Sequence, residues 1–132
     1  MRRQFVLPEE DIEFLDSSFE NWETICEGLH KWLIIHDFPV SDGYNIKITK
    51  AAFRIDQGYP NTQIDMVYFY PALIRVDRKP IGALANQILD GKTYQRWSRH
   101  RTSQNPWRPG IDNLESHIFL VKNWMEREFQ IR

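Results

Sequence analysis

Apolar residues recur along the chain with two periods, and each period predicts a different kind of element. Pro8-Glu9-Glu10-Asp11-Ile12-Glu13-Phe14-Leu15 reads as a short helix. Proline suits the first helical position, acids fill the first turn, and Ile12, Phe14 and Leu15 are left to face inward. Trp22 to Glu27 and Lys31 to Phe38 are rich in β-branched and aromatic side chains and are joined by Gly28-Leu29-His30, a hairpin pattern. After the turn signal Ser41-Asp42-Gly43, Tyr44 to Lys50 alternates, with Ile46 and Ile48 on one face and Lys47 and Thr49 on the other. That strand is expected to run on through Ala51 to Ile55. Asp56 to Asn61 breaks it, and Asp65 to Tyr70 makes a fourth strand ending at Pro71. Four sequential strands with short connections predict an antiparallel meander. The clearest helix comes last, from about Asn113 to Phe129. Asp112 offers a cap, and Leu114, Ile118, Val121 and Met125 recur on one stripe flanked by Leu120, Trp124 and Phe129.

Between the fourth strand and this helix the periodicity fails. Ile81 to Leu89 fits either a short helix or an irregular segment. Gly91 to Gly110 reads as a long loop, and long loops in small domains tend to be functional or disordered. Its Tyr94, Trp97 and Trp107 favour order, because rings of that size bury a large apolar area. The chain as a whole is expected to form a single domain, 1–132, of α+β class. Apolar residues at 42% and charged residues at 27% fit a folded soluble protein. Without an apolar run of about 18 residues no membrane span is expected, and the start Met1-Arg2-Arg3-Gln4 lacks a secretory apolar region. One cysteine allows no internal disulfide, so a cytoplasmic location is the expectation.

Charge changes this picture locally. The net charge is −1, yet Gly91 to Gly110 holds Lys92, Arg96, Arg99, Arg101, Arg108 and His100 with no acid, while acids crowd the first residues. No phosphate-binding glycine loop is present, and Cys26 with the four histidines lacks metal-ligand spacing, so neither a cofactor nor a metal is expected. Cys26, between Ile25 and Glu27 in an acidic strand, reads as a small half-buried residue. Glu23 and Glu27 would oppose its ionisation.

The chemically loaded stretch is Tyr94-Gln95-Arg96-Trp97-Ser98-Arg99-His100-Arg101. On an extended backbone Ser98 and His100 point one way, and Trp97, Arg99 and Arg101 the other. A serine hydroxyl needs a base to take its proton, which histidine supplies near neutral pH, and guanidinium groups can stabilise an oxyanion. By adjacency alone the pair equally fits two surface groups, and the arginines a binding surface for phosphate or carboxylate. A nucleic-acid-binding domain is a rival for this stretch, disfavoured by the overall charge balance and the lack of a binding motif.

Taken in order, the pieces resemble a ubiquitin-conjugating enzyme fold: a leading helix, a four-strand meander, an active-site loop and a late helix. Gly58-Tyr59-Pro60 resembles that family's Tyr-Pro step, and Trp107-Arg108-Pro109 its Trp-x-Pro segment. The run from Leu7-Pro8 through Asp65-Met66-Val67-Tyr68-Phe69-Tyr70-Pro71, Trp97-Ser98-Arg99-His100-Arg101 and Trp107 to Asp112 is similar to a divergent prokaryotic branch. That branch is encoded in bacterial conjugation operons thought to serve antiviral defence.

The resemblance implies an enzyme that accepts the C-terminus of a ubiquitin-like protein from an activating enzyme and passes it to a target protein. It implies no cofactor, no membrane and no nucleic acid. The family's catalytic cysteine lies shortly before the tryptophan, and the residue standing there, nine positions before Trp107, is Ser98. No cysteine follows Tyr59, and the family's His-Pro-Asn tripeptide is missing too. Either the chain is an inactive binding module, or Ser98 takes the acyl group as an oxyester. The second is the favoured expectation, with His100 as general base and Arg99 and Arg101 stabilising charge or holding the partner's tail. Asn86 or Asn105 would replace the missing asparagine.

Overall fold

Two helices and six strands follow one another as α1 (Glu9–Ser18), β1 (Trp22–Glu27), β2 (His30–Pro39), β3 (Ile48–Ile55), β4 (Val67–Tyr70), β5 (Leu84–Leu89), β6 (Lys92–Trp97) and α2 (Leu114–Arg127). This is a computed structural model, and it describes residues 1–130. The fold is α+β, as the sequence predicts, but the sheet has six antiparallel strands in the order β1-β2-β3-β4-β6-β5 rather than four. The added pair is a hairpin cut from the stretch left undecided and from the first part of the expected loop. Asp90 and Gly91, with φ of 52° and 73°, form its two-residue turn, the backbone that an Asp-Gly step favours.

Strand β3 starts only at Ile48, and Ile48 itself is 54% exposed. The alternation from Tyr44 to Lys47 belongs instead to a connection in which Tyr44 bridges Arg75. Helix α2 starts one residue later than expected. Asn113 caps it, accepting from the Ser116 amide while the Ser116 hydroxyl accepts from the Asn113 amide, both at 3.0 Å. Asp112 is thereby left for another role.

Side chains alternate across the sheet, so each face has its own core. One face carries Leu33, Ile35, Ala51, Phe53, Val67, Phe69 and Trp97 against Leu15 of α1 and the α2 stripe Leu114, Ile118, Val121 and Met125, all buried. Burial of each such aliphatic side chain stabilises the fold by about 1.5–3 kcal/mol. The other face buries Ile25, Trp32, Ile34, Ala52, Tyr68, Leu89 and Tyr94 with no helix over them. They are enclosed because the sheet curls. The Asp90 amide in the β5–β6 turn donates to Glu27 at 3.1 Å, and Arg2 bridges Glu23 at 2.9 Å and Asp90 at 2.7 Å.

Candidate active site

Ser98 follows directly on β6. Its amide donates to the Ala83 carbonyl at 3.0 Å, which fixes it to the start of β5, and the Arg99 amide donates to the Trp97 carbonyl at 3.0 Å. Ser98 is thus the centre of a tight three-residue turn, a common way to end a strand, and the strict alternation expected of an extended segment does not continue past it. Among the described residues the Ser98 hydroxyl has no hydrogen-bond partner, and none joins it to His100. His100 is 59% exposed and bonded through Nδ1 to the Asp65 carboxylate at 2.9 Å. With Nδ1–H donating, Nε2 carries the lone pair that can accept a proton.

The two arginines are held by buried acids. Arg99 donates to the Gly82 carbonyl at 3.0 Å and to Glu128 Oε2 at 3.2 Å, with its guanidinium over the Trp97 ring. Arg101 is almost wholly buried, 3.5 Å from Asp112 and stacked over Trp107. Asp112 also accepts from the Arg108 amide at 2.7 Å. Burial opposes its charge, but the Arg108 amide and the Arg101 guanidinium together hold its pKa below the usual carboxylate range. Trp107 donates from its indole to the Pro60 carbonyl at 2.9 Å and lies against Tyr59. The loop from Ser98 to Asn113 is therefore pinned at both ends and in its middle, which presents Ser98 and His100 from a fixed frame.

Beside this pair lies a cleft of about 210 Å³ lined by Arg99, His100, Trp124, Arg127 and Glu128. It has room for a narrow extended peptide rather than a folded domain. Asn86 lies exposed in β5, opposite Gln95, and Asn105 is exposed in the loop. Cys26 is exposed rather than half-buried, at the end of β1 that meets the β5–β6 turn. Ser98 is at the opposite end of β6, six residues and roughly 20 Å of strand away at about 3.3 Å per residue.

Sequence reasoning missed Asp65, which it used only as the first residue of a strand. Asp65 precedes β4 because Met66, at φ 61°, turns the backbone between them. Its one legible signal was being an acid that the strand pattern did not need. Also missed was His117, which is fully buried in α2 and bonds through Nε2 to the Met66 carbonyl at 2.8 Å. Burial lowers its pKa to about 4 and so keeps it neutral.

The family model described as prokaryotic E2 family E matches residues 7–128. No curated protein and no solved structure matches the chain.

Proposed function

Because the chain belongs to prokaryotic E2 family E, we propose that it is a conjugating enzyme whose acyl carrier is Ser98. An activating enzyme presents the C-terminus of a ubiquitin-like protein as a thioester. His100 Nε2 takes the Ser98 proton while Oγ attacks the thioester carbonyl. The C–S bond breaks, the departing sulfur takes the proton back from His100, and an oxyester to Ser98 remains. An amine of the target protein then attacks that ester, an amide forms, and the Ser98 oxygen leaves with a proton. Asp65 holds His100 in the tautomer this sequence needs and offsets its transient charge.

The carrying observation is the Asp65–His100 bond at 2.9 Å, two residues past a serine whose hydroxyl has no hydrogen-bond partner among the described residues. The cleft lined by Arg99, Trp124 and Arg127 receives the tail of the ubiquitin-like protein, with Arg99 near its last carbonyl groups. Arg101 serves by keeping the loop in place. An oxyester is less activated than a thioester, so the second step relies on this base more than a cysteine enzyme would.

The test is incubation with the operon's activating enzyme, ubiquitin-like protein and ATP. Wild type should gain the mass of the ubiquitin-like protein less one water, and Ser98→Ala, folded, should gain nothing. No adduct on wild type would leave the chain a binding module. An adduct that persists on Ser98→Ala would move the acyl carrier elsewhere.

A further inference from the structure

We infer that His117 is a positioning residue: through the Met66 carbonyl it fixes where Asp65 stands against His100, and so which nitrogen of His100 carries the proton. The inference rests on Ser98 and His100 acting as nucleophile and base.

Packing alone does not explain an imidazole here. His117 lies on the α2 face that packs against the sheet, where Leu114, Ile118, Val121 and Met125 are all apolar. Its Nδ1 is buried with no hydrogen-bond partner among the described residues. An unsatisfied buried polar atom is destabilising, and an aliphatic side chain of similar volume would avoid that cost. The remaining nitrogen donates to one acceptor, the Met66 carbonyl, at 2.8 Å. The ring is held edge-on between Phe53 and Trp124, with centroids at 5.7 and 5.6 Å, so the donor direction is fixed.

Met66 is where that bond is needed. A non-glycine residue at φ 61° is strained and stays so only where its surroundings hold it. Releasing Met66 to an ordinary β conformation would swing Asp65 away from the loop. Asp65 and His100 are 26% and 59% exposed, and an exposed ion pair by itself restrains side chains weakly. The fixed element is therefore the backbone behind Asp65, and His117 is the side chain that holds it. The chain of contacts runs from α2 through Met66 and Asp65 to His100 Nδ1, which leaves Nε2 unprotonated to serve Ser98.

Three substitutions of His117 and one of Asp65 test this, read by ¹⁵N correlation spectroscopy of the His100 ring at neutral pH and by rate of loading. His117→Gln keeps a donor at the reach of Nε2. His117→Asn is as polar but too short, and His117→Leu has no donor. Wild type and His117→Gln should show His100 protonated at Nδ1. His117→Asn and His117→Leu should move it toward the Nε2–H form that an unpartnered imidazole favours, and slow loading by roughly 10²-fold, the cost of displacing a catalytic group by about an ångström. Asp65→Asn should reproduce the tautomer change. Equal spectra for the Gln and Asn variants would overturn the inference, whether or not the Leu variant folds. The tautomer is read without any conjugation, so failure of wild type to load would refute the Ser98 assignment and leave the positioning result standing.

Discussion

The Tyr59 hydroxyl donates to the Asp11 carboxylate over 2.5 Å, joining the segment ahead of β4 to the first helix at a point where Asp11 is only 1% exposed. One acid thereby ties the first helix to the segment whose Pro60 carbonyl accepts from Trp107. Burial raises the Asp11 pKa, and burial with the neighbouring acid holds Tyr59 protonated well above its ordinary range. Tyr59→Phe should cost about 1–3 kcal/mol, because the charged oxygen then has one donor fewer. The hydroxyl favours the charged acid, so its loss raises the Asp11 pKa further. The difference in melting temperature between wild type and Tyr59→Phe should therefore be larger at pH 7 than in acid, where Asp11 is protonated. An equal difference at both would contradict the assignment.

The Arg2–Glu23–Asp90 bridge gives a gap of the same direction, from a carboxylate whose pKa is lowered rather than raised. Hydrogen bonding to Arg2 and then to His36 outweighs burial and lowers the Glu23 pKa from 4.5 to about 2. A depressed carboxylate contributes stability that is present above its unfolded pKa and lost as pH falls through the folded one. Melting curves of wild type and Glu23→Gln should thus be furthest apart above pH 4.5 and converge toward pH 2. A gap that stays constant over that window would show that the bridge does not close the sheet.

Arg101 and Ser98 should separate by what they damage. Arg101→Ala leaves the buried Asp112 only the exposed Arg108 as a cation and should cost up to about 3–5 kcal/mol, the penalty for breaking a buried pair from one side. It should lower the melting temperature and loading together. Ser98→Ala should abolish loading at unchanged stability, since among the described residues the hydroxyl has no partner to lose. Loss of loading without loss of stability in Arg101→Ala would place its guanidinium at the reacting groups instead.

Much of this frame is legible in the residues, and the missed parts have physical causes. The α2 stripe was readable because all four of its apolar positions are buried on one side. The β5–β6 hairpin was not, because on β5 the apolar side chains Leu84 and Ile88 face solvent at 40% and 71% exposure and the pattern inverts. Asp90-Gly91 was the available signal, a turn dipeptide between two runs of strand length. Ile46 misled in the other direction, since one alternating residue ahead of Ile48 fits a connection leading into β3 as well as the strand itself. Ser98 and His100 could be singled out because they lie in an acid-free stretch. Asp65 and His117 could not, because they come from β4's approach and from α2, and only folding brings them to the loop.

Cys26 is exposed at the far end of the sheet from Ser98. Native protein should react readily with a maleimide at this one thiol, and Cys26→Ser or the alkylated protein should load as wild type does. Loss of loading on alkylation, with the fold retained, would bring this thiol into the reaction.

His100 separates a base from a bystander. His100→Ala should slow loading by roughly 10²–10⁴-fold, the range for a general base, without lowering the melting temperature. Ser98→Cys should load and give an adduct that thiol reductant removes, because the thiol needs less help from His100. A Ser98→Cys adduct whose formation falls as steeply as that of wild type when His100 is replaced would argue against a base role.

The bond between the chain and the ubiquitin-like protein is read most directly by intact mass after loading, in parallel samples treated with thiol reductant and with hydroxylamine. For an oxyester on Ser98, the adduct on wild type should survive reductant, be removed by hydroxylamine, and map to the peptide containing Ser98. An adduct cleaved by reductant, or one found on any other residue, would contradict Ser98 as the acyl carrier.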